Sequence, residues 1–536
     1  MSIDYICNMN KRVLLHIILF VLIFGCNNVK DEKQVPFEKL SSDVTGINFS
    51  NIITPDIETS ENLFDYDYFY NGSGVGIADI NNDGLKDVLF TANQEMNRLF
   101  LNKGNLTFED ITESSNINSK NKKWSSGVTF ADVNNDGWLD IYISQGGPYN
   151  SNSRKNLLLI NNQDLTFSEK AEEYGLDDNG ISTQSAFFDF DKDGDLDCVV
   201  MNENEFYGYD PISFFKKYEN KSVLMENSSH LYEQKDGKFI NITEKAGLLS
   251  PTFGLGLCIS DINNDNWPDI YIANDYYVKD AMYINNQDGT FTNQIKKSTK
   301  QISFYGMGVD IEDINNDNLS DIFVLDMASS DHVRSKTLMA SMNTSNFDLI
   351  TNKLDQHYQY MFNSLQLNLG NDKYHNISHQ LNIAKTDWSW AGLIFDYNLD
   401  GNEDIFVTNG YRKYGSDNDS RIRINETKKE YNNKVPVEMK KRLYDELPSE
   451  KLPNLLYKNE GNLTFKEVGH NSALNDPSFS NGAAYADLDN DGDLEIIVNN
   501  IDEDAFIYKN LSIENNLGNY LKVRANGILS ENFAKG

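Results

Sequence analysis

Short apolar runs alternate along this chain with acidic, amide-rich turns, a rhythm suited to strands rather than to amphipathic helices. The clearest instance is Gly74-Val75-Gly76-Ile77-Ala78, then the polar stretch 79–87, then Val88-Leu89-Phe90. The same strand, tight loop and strand return six more times, with loops at 132–140, 189–197, 261–269, 313–321, 396–404 and 487–495. A second apolar hairpin, Leu99-Phe100-Leu101-Asn102 to Thr107-Phe108, follows the first loop, with relatives at 157–167, 231–239, 282–291, 365–374 and 455–465. Two hairpins per repeat predict a four-stranded antiparallel sheet. Seven repeats predict an all-β, seven-bladed β-propeller.

The seventh repeat has Ala505-Phe506-Ile507-Tyr508 but no obvious fourth strand after it. Phe37-Glu38-Lys39-Leu40-Ser41 resembles the fourth-strand sequence Phe108-Glu109-Asp110-Ile111-Thr112. The N-terminal strand is therefore expected to complete the last sheet, leaving no bare edge. A solenoid would need no such complement.

The polar loops follow D-x-[DN]-x-D-[GN]-x-x-[DE]. Oxygen side chains fall at positions one, three, five and nine, and the carbonyl of position seven can complete a shell for a hard cation, much as in an EF-hand loop. The candidate ligands are Asp79, Asn81, Asp83, Leu85 and Asp87; Asp132, Asn134, Asp136, Trp138 and Asp140; and Asp189, Asp191, Asp193, Asp195 and Asp197. The fourth and fifth loops offer Asp261, Asn263, Asp265, Trp267 and Asp269, then Asp313, Asn315, Asp317, Leu319 and Asp321. The last two offer Asp396, Asn398, Asp400, Asn402 and Asp404, then Asp487, Asp489, Asp491, Asp493 and Glu495. Position six must turn with positive φ, and Gly84, Gly137, Gly194, Asn266, Asn318, Gly401 and Gly492 occupy it. Asp, Asn and Gly are also ordinary hairpin residues, but a repeated acidic ninth position is not a turn requirement. With oxygen ligands throughout and no His or Cys among them, up to seven Ca²⁺ are expected.

Charge bears on this. The chain carries a net −34 at neutral pH, which seven Ca²⁺ would lower to −20. Such acidity excludes nucleic acid and anionic membrane surfaces as partners. Metal binding should be coupled to folding, because crowded carboxylates repel without it.

Lys11 and Arg12, the apolar run 13–24 and then Gly25-Cys26 predict a signal peptide over 1–25, with Met9 as the better start. Ile23-Phe24-Gly25-Cys26 resembles a bacterial lipobox, which implies lipid on Cys26, a tether over 26–36 and an anchor in the cell envelope, facing outward on the outer membrane. An ordinary signal peptide is the alternative. Cys198 and Cys258 lie in apolar strand sequences and read as buried thiols.

The repeats over 37–510 resemble FG-GAP repeats, the calcium-binding blades of integrin α-chains, and the related VCBS repeats of bacterial surface proteins. The tail Asn519-Tyr520-Leu521-Lys522-Val523-Arg524, with Gly527 and Asn532, resembles the opening of an ASPIC/UnbV domain, so 515–536 reads as a truncated start of that domain.

In an up-and-down blade, the acidic loops all lie on one face, and insertions after the second strand lie on the other. Three are long: 202–229, 327–363 and 409–453, with helical composition over 435–447. Aromatics concentrate there, and Trp388, Trp390, Tyr276, Tyr277 and Tyr411 are the candidate ligand-face residues, against the alternative that such rings pack the insertions down. A calcium-stabilised surface module that binds a glycan or protein is the expected function, with no catalytic residues. A polysaccharide lyase or hydrolase is a second reading; its acid–base candidates are only His332, His357 and Tyr358 with Asp331 or Asp355. A structural subunit of an outer-membrane complex is a third.

Overall fold

The computed structural model describes residues 36–118, 124–338 and 344–523. The expected signal segment, Cys26, nearly all of the tether, and Arg524, Gly527 and Asn532 of the tail lie outside the described residues.

Seven four-stranded antiparallel sheets carry the fold. Sheet I comprises Val75–Ala78, Asp87–Phe90, Arg98–Asn102 and Phe108–Asp110. Sheet II comprises Ser125–Ala131, Asp140–Gln145, Leu157–Asn161 and Phe167–Glu169. Sheet III comprises Ser182–Phe188, Asp197–Asn202, His230–Lys235 and Lys238–Asn241. Sheet IV comprises Gly254–Ser260, Asp269–Asn274, Ala281–Asn285 and Phe291–Asn293. Sheet V comprises Val309–Glu312, Asp321–Val324, Ser364–Asn368 and Tyr374–Asn376. Sheet VI comprises Ser389–Phe395, Asp404–Asn409, Leu455–Asn459 and Phe465–Glu467. Sheet VII takes Ser480–Ala486, Glu495–Asn500 and Phe506–Asn510, and its fourth strand is Phe37–Leu40. Phe37 pairs with Asn510 and Leu40 with Ile507, antiparallel.

The first strands of successive sheets lie side by side, I against II through VI against VII, and VII against I. Small residues permit this approach. A Cβ on Gly308 would stand 2.1 Å from the Trp390 carbonyl oxygen in the next sheet, and one on Gly482 would stand 2.7 Å from that of Ser73, just before sheet I. The first strands line a cavity of about 260 Å³, to which Val75, Val128, Thr183, Leu257, Val309, Leu393 and Ala483 each contribute from a different sheet.

Second strands are the core. Asp140–Gln145, Asp197–Asn202, Asp269–Asn274, Asp404–Asn409 and Glu495–Asn500 are buried along their whole length. Neighbouring sheets cover both of their faces, so they read as continuous apolar runs whose burial adds to the hydrophobic driving force.

All three long insertions leave after a second strand. The first carries helices Pro211–Lys217 and Lys221–Glu226, the former capped by Asp210, whose side chain accepts the Ser213 N–H. The third carries Asn418–Glu430, which the composition did not mark, and Val437–Asp445, where a helix was expected. Cys198 and Cys258 are free thiols, the first buried and the second half-buried.

Candidate metal centre

Each acidic loop folds around its own carboxylates. In the first, Asp79 Oδ1 accepts the Asp83 N–H at 3.1 Å and Oδ2 accepts the Gly84 N–H at 2.9 Å. Asn81 Oδ1 accepts the Asp83 N–H, and Asp83 Oδ1 accepts the Leu85 N–H. Asp132, Asp189, Asp261, Asp313 and Asp396 hold the amides of positions five and six in the same way. Position six has positive φ in all seven loops, from +65° at Asn318 to +104° at Gly492. Position four does too, which the sequence reading missed: Asn82, Asn135, Lys192, Asn264, Asn316, Leu399 and Asn490 all lie near +60°. Its signal was the frequent Asn.

The ninth carboxylate ties the loop to the sheet. Asp87 Oδ2 accepts the Ile80 N–H at 3.1 Å, and Oδ1 accepts the Asn102 N–H at 2.8 Å from the end of the third strand. Asp140, Asp197, Asp269, Asp321 and Glu495 repeat both bonds, and Asp404 keeps the second, to Asn459. Burial pushes these groups up, against the pull of the amides: Asp87, Asp140, Asp269 and Asp321 to about 7, Asp197 and Asp404 to about 8, and Glu495 to about 9.

A second set of residues went unrecognised in sequence: the side-chain amide at the end of each third strand. Asn161 Nδ2 in sheet II donates to the Ile80 carbonyl in the loop of sheet I, at 2.9 Å. Gln234, Asn285, Asn459 and Asn510 make the same reach to Val133, Phe190, Ile314 and Tyr397 of the preceding loop. Asn368 makes it through the Tyr374 hydroxyl, which donates to Ile262. Asn102 in sheet I reaches Leu488, in the loop of sheet VII. The series returns to its start.

In the third and seventh loops, positions one, three and nine converge. One carboxylate oxygen each from Asp189, Asp191 and Asp197, and likewise from Asp487, Asp489 and Glu495, lies within 4.8 Å of the others. Asp195 Oδ1, Asp487 Oδ1 and Asp489 Oδ1 are buried with no hydrogen-bond partner. Elsewhere position three is the amide of Asn81, Asn134, Asn263, Asn315 or Asn398, and position seven (Leu85, Trp138, Trp267, Leu319) offers only its carbonyl. An all-oxygen donor set with orphaned carboxylate oxygens fits a hard divalent cation.

At the insertions, the structure packs the aromatic candidates together. Trp388 and Tyr411 stack face to face, centroids 3.9 Å apart and planes within 2°. Both are buried, as is Tyr277, while Tyr276 and Trp390 are half-buried. Their faces meet other side chains, in contrast to the exposed rim expected of them. The segment 62–71, unremarked in sequence, fills the space between the insertions. Tyr66 donates to Glu203 at 3.0 Å, Tyr68 to Asp275 at 3.2 Å, and the Tyr70 and Tyr444 hydroxyls lie 2.7 Å apart. Burial pushes Glu203 and Asp275 up to about 8. Exposed apolar side chains sit instead on the insertions themselves: Tyr209, Ile212, Val333, Tyr358, Ile422 and Val437.

Of the two histidine candidates, His357 is engaged within the fold. His357 Nε2 lies 2.9 Å from the Thr299 hydroxyl, and burial with the nearby Lys296 pushes it down to about 4. Asp355 pairs with Lys296 at 2.5 Å.

Comparison with known proteins agrees with the repeat pattern. The family model described as FG-GAP-like repeat matches residues 79–143 and 261–324. Cartilage acidic protein 1 of Xenopus tropicalis is 31% identical over 134 residues, 25% of this chain and 20% of that protein, so the chain spans a fifth of that relative's length. Among solved structures, an Agrocybe aegerita lectin that recognises non-reducing terminal N-acetylglucosamine aligns with TM-score 0.38 and 14% identity, over 76% of this chain and 83% of that one. BBS1N, solved in complex with ARL6DN, aligns with TM-score 0.29 and 8% identity, over 70% and 94%. The chain carries FG-GAP-like repeats on an all-β framework of four-stranded antiparallel sheets.

Proposed function

We propose that this chain is a closed seven-bladed β-propeller, loaded with Ca²⁺ in its acidic loops, that binds a glycan or protein ligand and catalyses nothing. The observation that carries the reading is loop 487–495, where one carboxylate oxygen each from Asp487, Asp489 and Glu495 converges and where Asp487 Oδ1 and Asp489 Oδ1 are buried with no donor. Ca²⁺ there would neutralise the loops and lock paired strands, giving a rigid ring on which the insertions stand. Ligand capture is assigned to the exposed tips, Tyr209, Tyr358 and their neighbours, with Trp388, Trp390, Tyr276, Tyr277 and Tyr411 shaping the base beneath. The decisive experiment is a glycan and protein array probed with calcium-replete and chelator-stripped protein. Capture that needs calcium and falls with Tyr209→Ala supports the reading; turnover of a polysaccharide lost in His357→Ala would replace it with the enzymatic one.

The same proposal places the protein in the bacterial cell envelope, held by lipid on Cys26, with no other contact with membrane. Cys26→Ser should release it from membranes and abolish labelling by a fatty acid.

A further inference from the structure

We propose that loop 487–495 holds a second divalent cation, on Asp491, Asp493 and Glu514, which fastens the segment after the last strand of sheet VII to that loop. One carboxylate oxygen of each of these three residues lies within 4.8 Å of the others. Asp491 and Asp493 also stand at positions five and seven of the loop's own candidate set, but their cluster with Glu514 is distinct from that of Asp487, Asp489 and Glu495.

Asp493 supplies the independent sign of a ligand. It is fully buried. Its Oδ2 accepts the Ile513 N–H at 2.9 Å, but its Oδ1 is buried with no hydrogen-bond partner. A carboxylate oxygen stripped of water and given no donor is costly, and a cation removes the cost.

Charge agrees. Six carboxylates gather here: Asp487, Asp489, Asp491, Asp493, Glu495 and Glu514. Among the described ion pairs, they meet Lys509, 2.7 Å from Glu514 and 3.6 Å from Asp489, and Lys522, 3.5 Å from Asp487. Two ammonium groups against six carboxylates leave the charge of two divalent cations. All donors are oxygen, so the ion is of the Ca²⁺ class.

The third loop provides the contrast. It too has an acidic seventh residue, Asp195, but among the described residues its cluster comprises only Asp189, Asp191 and Asp197. At loop 487–495 the extra carboxylate comes from beyond the sheet, on a segment already tied down by Ser512, whose hydroxyl donates to the Tyr397 carbonyl at 2.9 Å. The ion would complete that attachment.

The site does not depend on the reading of positions one, three and nine, and the test keeps the two apart. Chelator-stripped protein is titrated with CaCl₂ by calorimetry. Glu514 is exposed, so Glu514→Gln should fold normally. It should bind one ion fewer than wild type, while Lys509→Met, which breaks the ion pair but keeps every carboxylate, should bind the wild-type number. Asp487→Ala, which removes the position-one carboxylate that all seven loops share, should lose a different ion, and the double variant Asp487→Ala/Glu514→Gln should bind two fewer. An unchanged stoichiometry in Glu514→Gln overturns the second site, whatever Asp487→Ala does. Loss in Glu514→Gln without loss in Asp487→Ala supports the second site and sinks the reading of positions one, three and nine. Hydrogen exchange gives the second readout: calcium should slow the Ile513 amide at least tenfold in wild type and leave it unchanged in Glu514→Gln. Equal slowing in both overturns the proposal.

Discussion

The side-chain amide of Asn102 donates to the backbone carbonyl of Leu488 at 2.9 Å, across 386 residues of sequence. It is the last member of the series of third-strand amides, and it joins sheet VII to sheet I. Asn102 is buried, and its Nδ2 also holds the Lys86 carbonyl of its own loop. One side chain therefore anchors two loops.

Asn102→Ala should for that reason cost about 1–3 kcal/mol, because the buried Leu488 carbonyl and the half-buried Lys86 carbonyl lose their donor at once. The check is urea denaturation of calcium-saturated protein. A loss no greater than that of an exposed Asn→Ala change would show the bridge to be immaterial.

The ninth-position acids set a pH dependence. Their carboxyls are raised in the folded state to between about 7 and about 9. A raised carboxyl contributes stability that is present below the unfolded value near 4 and lost as pH rises through the folded value. Without calcium, the melting temperature should fall steadily between pH 5 and 9. Saturating calcium should flatten that fall, since the ion favours the ionised form, and calcium affinity should rise over the same range with release of protons. Melting curves with and without chelator test this, and parallel pH profiles would count against cations at these acids.

Position six offers a conformational test. Gly84 has φ +88°, and a Cβ there meets nothing within 4 Å. Gly84→Ala should thus cost about 1 kcal/mol through backbone strain alone, and Gly84→Asn distinctly less, because Asn266 and Asn318 already hold this conformation at +66° and +65°. Equal losses for both variants would place the cost elsewhere.

At the insertions, stability and capture should separate. Trp388→Ala opens a buried cavity against Tyr411 and should destabilise by about 3–5 kcal/mol. Tyr209→Ala and Tyr358→Ala remove exposed rings and should leave the melting temperature within about 1 °C, given the small effect of surface changes. If Tyr209 and Tyr358 contact ligand, these variants weaken capture with stability intact, measured by calorimetry with a ligand from the array.

The repeat count, the strand–loop–strand units and the pairing partner of residues 37–41 were legible because each is written locally, in apolar alternation and in a sequence that copies its own fourth strand. Position six was legible for the same reason: Gly and Asn take its left-handed backbone most readily. The positive φ at position four was harder, since Lys192 and Leu399, which have no propensity for it, adopt it as well.

Sequence by itself determined which residues carry oxygen at each loop and where strands begin and end, because hydrogen-bonding chemistry and hydrophobic period act over a few residues. Tertiary structure alone decided that Asn102 would reach Leu488, that Trp388 would be spent on Tyr411, and that Glu514 would come to rest beside Asp493. Those outcomes depend on which distant surfaces meet once the sheets pack, and packing is settled by the shapes of whole neighbouring sheets, which no local pattern records.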